Sequence, residues 1–482
     1  MASRPGGRDL TSGPIGRTLL AFAIPTLLSS VLQSLNGSIN AIWVGRFLGE
    51  DALAATSNAN MIMFLLMAFV FGFGMAATVL IGQAFGRGDI DGVRRVIGTA
   101  IGGFVPVAAA IAILGWFGAP ALLDLLGTPP DSAPLALAYL RVIFIAMPPI
   151  LLAIVLMMGL RGTGDSMTPL WFIFGAVLLD SGLNPVFILG LGPAPALGIA
   201  GSATATVIAN YAALIGLLIY VYRRDLPIRL RGPELRYLVP DRALTRTMIV
   251  KGLPMGLQMI VISGAGLATL GLVNREGVDT TAAFGVAMQL WTYIQMPAMA
   301  LGAAVSAMAA QNIGAGKWER VGAITRSGIL YNLLITGLLV VLLAIADRPA
   351  LALFLGGASP ALPIAEHIQL LATWSFLLFG VTIILFGTVR ANGAVMGPLV
   401  ILAIGLLPVR LGFALGAYPW LGADALWLSF PVGSLVIMAM AIAFYLQGGW
   451  RKARMGMPPP REALIEEAQA DGEPGGRINP SA

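Results

Sequence analysis

No cysteine occurs in these 482 residues, and histidine occurs once, at His367. Disulfides, thiolate metal centres and cysteine nucleophiles are thereby excluded, and one chain cannot build a multi-histidine metal site. Charge is scarce as well: 11% of the residues are charged. Soluble domains carry about 25%. No HExxH or GxSxG pattern occurs, and no nucleophile stands beside an acid–base pair. Neither an enzyme nor a cofactor is therefore expected. The stretch Gly82 to Gly88 is glycine-rich but has no GK[ST], so it is not a phosphate loop.

What is abundant is apolar. Hydrophobic residues make up 57% of the chain, and mean hydropathy is +0.86. The apolar runs are continuous rather than alternating, which specifies spanning helices instead of a barrel. Twelve spans are predicted, at roughly 18–44, 53–82, 95–117, 134–158, 168–190, 196–221, 248–273, 281–312, 325–346, 364–388, 396–417 and 421–447. The first run is too long for a signal peptide and reads as a retained helix. Basic residues favour one side of these spans. Arg46, Arg275 and Arg348 lie on one side; Arg87, Arg94, Arg161, Arg390, Lys317 and a cluster from Arg223 to Lys251 lie on the other. The second side is called the basic end below. The asymmetry places it, with both termini, in the cytoplasm, and the net charge of +6 reflects topology rather than nucleic-acid binding.

The chain repeats itself. Ile24-Pro25 recurs as Leu253-Pro254, at an offset of 229. Gln83-Ala-Phe-Gly86 recurs as Gln311-Asn-Ile-Gly314, at 228. Arg161 to Leu170 recurs as Arg390 to Leu399 at 229, and Pro195 to Gly198 as Pro419 to Gly422 at 224. Six helices per copy gives two lobes of like orientation, related by a pseudo-two-fold axis along the membrane normal. The expected organisation is an N-terminal cytoplasmic segment (1–17), an N-lobe (18–221), a cytoplasmic linker (222–247), a C-lobe (248–447) and a disordered tail (448–482). A short amphipathic helix is expected in the linker near Glu234 to Arg246. Pro25 and Pro254 are expected to bend the first and seventh helices.

Asp180 is the outlier. It sits near the centre of an almost wholly apolar span, where a carboxylate costs on the order of 3 kcal/mol on insertion scales. Asn184 shares its helix face, four residues on, as Asn36 shares one with Asn40 and Thr206 with Asn210. Burial penalises the charged form of a lone carboxylate, so it can trade a proton. Neighbouring oxygen ligands also suit a hard cation such as Na⁺. A second intramembrane charge, Arg410, lies one residue past Val409, which is the repeat counterpart of Asp180. It either faces a central cavity or snorkels to the outer interface. Arg141 reads as structural, and His367 as solvated beside Glu366.

The segments Ile42-Trp43-Val44-Gly45, Gly82-Gln83-Ala84-Phe85-Gly86, Leu160-Arg161-Gly162-Thr163-Gly164-Asp165, Leu183 to Gly190, Leu197 to Ala203 and Gln311 to Gly316 together resemble the multidrug and toxic compound extrusion (MATE) family. The resemblance covers nearly all of 15–447. It implies a twelve-helix, two-lobed exporter in a bacterial inner membrane that expels drugs or other amphiphilic cations in exchange for H⁺ or Na⁺. A monomer is expected, with no nucleic-acid partner. Carried over position by position, the family's N-lobe cation site falls on Asn40, Asp180, Asn184 and Thr206, which with Asn36 and Asn210 form the expected ion-coupling set. A bound Na⁺ would sit at Asp180, Asn184, Asn40 and Thr206. Two departures stand out: the family's first-helix Asp is Asn40 here, and the helix-five pair is reversed, leaving one carboxylate. Tyr139 falls where the family has a cavity tyrosine. Met61, Met157, Gln258, Gln289, Trp291 and Arg410 are the other candidate cavity residues, methionine suiting a pliable pocket. The alternatives are a lipid-linked oligosaccharide flippase of the same superfamily, a passive channel, and an intramembrane enzyme.

Overall fold

Residues 7–125, 128, 132–192 and 194–456 are described in a computed structural model; within 50–69 several residues are described by backbone alone. The fold is all-helical among these residues. The N-lobe is α1 (Ile15–Leu48), α2 (Glu50–Arg87), α3 (Ile90–Leu125), α4 (Ala133–Gly162), α5 (Met167–Leu189) and α6 (Ile199–Arg223). The C-lobe opens with α7 (Arg242–Val273), α8 (Val278–Gly314) and α9 (Trp318–Ile345). A short α10 (Asp347–Leu355), which the apolar pattern does not announce, precedes α11 (Ala361–Ala372) and α12 (Ser375–Arg390). The last two bend by 46° and are long and apolar enough for a span only when taken together. The next span changes character midway: α13 (Met396–Ile404) leads into a π-helical stretch, Gly405–Leu411, and then α14 (Gly412–Gly416). α15 (Tyr418–Leu421) and α16 (Asp424–Gln447) complete the lobe. Among the described residues eleven helices are long and apolar enough to cross a membrane, and twelve spans result when the bent pair counts as one.

Several observed helices outrun the apolar windows, and in α7 a polar cap accounts for the extension. α7 begins at Arg242, six residues before its apolar run, since the Asp241 carboxylate accepts from the N–H groups of Ala243 (2.9 Å) and Leu244 (3.2 Å). Arg95 of α3 pairs with the same carboxylate at 3.0 Å. The linker is accordingly not a loose tether. Its helical turn spans Gly232–Leu238, earlier than expected, and is a 3₁₀ helix. It docks on α3 through Arg94–Glu234 (2.5 Å) and a Tyr237 hydroxyl that donates to Asp91 (2.6 Å).

The basic end holds the lobes together. Gln83 of α2 donates across the interface to the carbonyl of Ala391 at 2.7 Å. Its repeat mate Gln311 of α8 donates to the carbonyl of Gly162 at 3.0 Å. Gly162 and Ala391 are themselves repeat mates, so the two bonds form one reciprocal clasp. Gly86 and Gly314 complete it: a Cβ on either would overlap the Gln311 or Gln83 carbonyl oxygen of the other lobe. That close approach is the reason both copies of the motif carry glycine there. The largest apolar core also straddles the lobes here, joining Leu80, Ile81 and Leu160 to Met255, Ala310 and Val389. At the other end each lobe has a core of its own, around Phe144 and Ile199 in one and around Phe284 and Trp427 in the other.

The N-terminal segment is built into this closure. Arg8 N–H donates to Thr163 (3.1 Å) in one lobe, and Leu10 N–H to Gln311 Oε1 (3.0 Å) in the other. Leu10 is fully buried. The start of the expected tail is ordered too. Residues Gly449–Lys452 form a 3₁₀ turn, Trp450 is buried, and Asn392 Nδ2 donates to the carbonyls of Trp450, Arg451 and Ala453. Trp450 supplies the apolar contact that its Pro- and Gly-rich surroundings hide. The remainder of the expected tail, 457–482, lies outside the described residues.

Candidate ion-coupling site

α1, α5 and α6 meet at Asp180. Asp180 is 2% exposed, so its carboxylate needs partners within the protein interior. Oδ2 accepts from Asn36 Nδ2 at 2.9 Å and from Asn40 Nδ2 at 3.0 Å, both on α1. Oδ1 accepts from the Thr206 hydroxyl of α6 at 3.1 Å and from Asn184 Nδ2 at 3.2 Å. Asn184, fully buried, also donates to Asn40 Oδ1 (3.0 Å) and to the Asp180 carbonyl (3.0 Å). The i, i+4 spacings in α1 and α5 present each pair on one face, and the donors satisfy a carboxylate that lipid-enclosed protein would otherwise strand. Asn210 differs from the rest of the expected set. Its side chain turns to the Thr206 carbonyl (2.8 Å) and supports the helix rather than the carboxylate.

The oxygens of this cluster include two buried orphans. Asn36 Oδ1 and Asn184 Oδ1 have no hydrogen-bond partner among the described residues. With the Asp180 carboxylate they are hard donors within one cluster. One carboxylate balances one positive charge, so the set suits a proton or a monovalent cation. No group of three or more His, Cys, Asp or Glu side chains fit for a metal ion occurs among the described residues.

The expected cavity residues are more scattered. Tyr139 is buried in the N-lobe core with Val44, Phe144 and Ile199. Trp291 is 2% exposed, at the centre of a ring cluster with Phe284, Phe376 and Phe430. Its indole N–H bonds Gln369 Oε1 (2.9 Å) and Thr373 Oγ1 (2.8 Å), which explains why a polar aromatic tolerates that burial. Gln258 is likewise buried, donating to the Val395 carbonyl at 3.4 Å. These three are packing elements here rather than an exposed lining. Met157 packs against the shared core, while Gln289 is exposed and donates to the Tyr293 hydroxyl at 3.3 Å. The side chain of Met61 lies outside the described residues. His367 is exposed, and its Nε2 lies 2.8 Å from Asp424 Oδ1, while Glu366 pairs with Arg348 at 3.7 Å. Arg141 stacks over the Trp116 ring at 5.8 Å.

Arg410, partly exposed, donates to Thr269 Oγ1 at 3.2 Å and lies with its guanidinium carbon 3.6 Å from the Phe430 ring centroid. Thr269 and Phe430 escaped sequence reasoning because neither is ionisable. The repeat held the signal: Thr269 is the counterpart of Asn40 at the 229 offset, and Phe430 that of Thr206 at 224.

Comparison with known proteins agrees with this architecture. The MatE family model matches twice, at residues 25–186 and 254–415, once per lobe. The chain is 36% identical over 443 residues to the probable multidrug resistance protein YoeA of Bacillus subtilis, covering 92% of this chain and 95% of that one. It is 28% identical over 450 residues to an FAD transporter of Shewanella oneidensis, covering 90% and 95%. A solved outward-facing MATE transporter of the MOP superfamily superposes with a TM-score of 0.84 at 20% identity, covering 93% of this chain and 98% of that one. With two matched repeats and a relative alike over nearly its full length, this multi-pass membrane protein belongs to the multidrug and toxic compound extrusion (MATE) family.

Proposed function

We propose that the protein is a secondary-active efflux transporter that exchanges H⁺ or Na⁺ for amphiphilic, cationic compounds by alternating access, with its basic end in the cytoplasm of a bacterial inner membrane. One observation carries this reading: the Asp180 carboxylate accepts hydrogen bonds from three helices of one lobe. Four donors face the carboxylate oxygens. Protonation turns one carboxylate oxygen into a donor, so at least one of the facing N–H or O–H groups has to turn away. A cation at the same place displaces the amide N–H groups and draws in amide oxygens instead. Either event exchanges the bonds that tie α1 to α5. Coupling requires that the rearranged packing favour one access state over the other. The clasp at the basic end supports an outward-facing assignment for this conformation. Names among the relatives support drug export, while the relative named for FAD has a different cargo.

The test is dye efflux from proteoliposomes with H⁺ and Na⁺ gradients imposed separately. Asp180→Asn is isosteric and keeps the fold, and it should abolish gradient-driven efflux. Full activity in that variant would remove Asp180 from the mechanism.

A further inference from the structure

The two lobes carry opposite charges at related places. In the N-lobe, Asp180 is held by Asn40 and Thr206. In the C-lobe, Arg410 is held by Thr269 and Phe430, their repeat counterparts. Sequence alignment of the repeats misses this by one residue, since Asp180 maps to Val409. The π-helical stretch Gly405–Leu411 supplies that residue. A π turn takes one residue more than an α turn and so advances the register of the side chains that follow. Pro408 within it has no N–H to give to an α-helical ladder. Gly433 of α16 leaves room for the arginine stem, since a Cβ there would lie 3.0 Å from Arg410 Cβ.

The guanidinium is poorly satisfied for its surroundings. No carboxylate among the described residues pairs with Arg410, and its Nε is buried without a partner. The Thr269 hydroxyl gives its own proton to the Ala265 carbonyl (2.8 Å) and accepts one Arg410 N–H, so it supplies no charge. Phe430 offers a ring face, which attracts a cation but leaves the planar N–H fork free. Such a fork matches the two oxygens of a carboxylate or phosphate. A lone cation kept within a membrane span, with unused donors and partial exposure, is built to receive an anion.

We infer that Arg410, with Thr269 and Phe430, forms an anion subsite in the C-lobe that takes a carboxylate or phosphate group on an amphiphilic ligand. The inference rests on the transport reading only in supposing that a solute enters between the lobes. It widens the cargo from cations to zwitterions and anionic amphiphiles.

Rhodamine B carries a free carboxylate, and its ethyl ester is the same ring system without one. Their binding to the purified full chain in phosphatidylcholine nanodiscs, read by fluorescence anisotropy against empty discs, separates the subsite from general affinity. Arg410→Gln should weaken rhodamine B about tenfold or more, the scale of a lost charge-assisted bond, and leave the ester within about twofold. Arg410→Lys, which keeps the charge, should restore part of the preference. Equal loss for both dyes, or no loss for either, would overturn the subsite. Short-chain phosphatidylglycerol competing with rhodamine B would make a lipid phosphate its occupant, and failure to compete would make it a solute carboxylate. Asp180→Asn should leave the acid-to-ester binding ratio intact while abolishing coupled efflux, so the two ideas fail separately.

Discussion

At Asp180 the amides are not equivalent. Asn40 and Asn36 give their N–H groups to the carboxylate, whereas Asn210 gives its own to a backbone carbonyl. A hydrogen bond to a charged group contributes about 1.5–3 kcal/mol. Asn40→Ala should therefore cut the initial rate of gradient-driven efflux about tenfold or more, and Asn210→Ala should leave it within about threefold. Equal losses would mean that the amides merely glue helices together. Most of this cluster is legible in the chain, because an acid four residues from an amide in an apolar run is conspicuous. Which amides reach the acid is not legible. Asn210 has the same spacing from Thr206 as Asn40 from Asn36, and only the rotation of α6 decides between carboxylate and carbonyl.

Two elements deserve separate tests. The Gln83 and Gln311 bonds each cross the lobes, and a neutral hydrogen bond is worth about 1 kcal/mol, or roughly a fivefold change in an equilibrium. Gln83→Ala should shift the closed population at the basic end by about that factor. Distances between spin labels placed on the two lobes read this directly, and the natural lack of cysteine leaves introduced labelling sites unopposed. Unchanged distances would show that the clasp does not hold the gate. The second element is α10. Burial, and after it the neighbouring Glu366, push the Asp347 carboxyl up to about 6 from 3.8. Its Oδ1 has no partner among the described residues. A raised folded value favours the protonated form, so this contribution to stability is full below about pH 4 and is lost as pH rises through about 6. Asp347→Asn should therefore raise the thermal midpoint at pH 7 more than at pH 4. The reverse order, or no difference, would contradict a half-buried, destabilising carboxylate there.

The whole molecule is closed at one end by three layers: a shared apolar core, the reciprocal clasp, and the N-terminal segment laid across both lobes. Removing residues 1–13 strips only the last layer. It should widen the label distances at the basic end and leave helix content unchanged by circular dichroism. Distances that stay put would make the segment a passive passenger. At the opposite end each lobe has a separate core among the described residues. The asymmetry is what a rocking pair of rigid lobes requires.

Composition and periodicity alone determined that this chain spans a membrane, how often, and that it is doubled. Those properties follow from solvent: an apolar run of this length has one stable environment, and a repeated pattern folds twice in the same way. Tertiary structure decided what one-dimensional spacing leaves open. It turned Trp291 and Gln258 into packing, drew Leu10 and Trp450 into the core, and set Arg410 opposite Thr269 through a π turn. Each of those outcomes depends on helix rotation and on neighbours from 58 to 301 residues away, and neither quantity is written in local sequence.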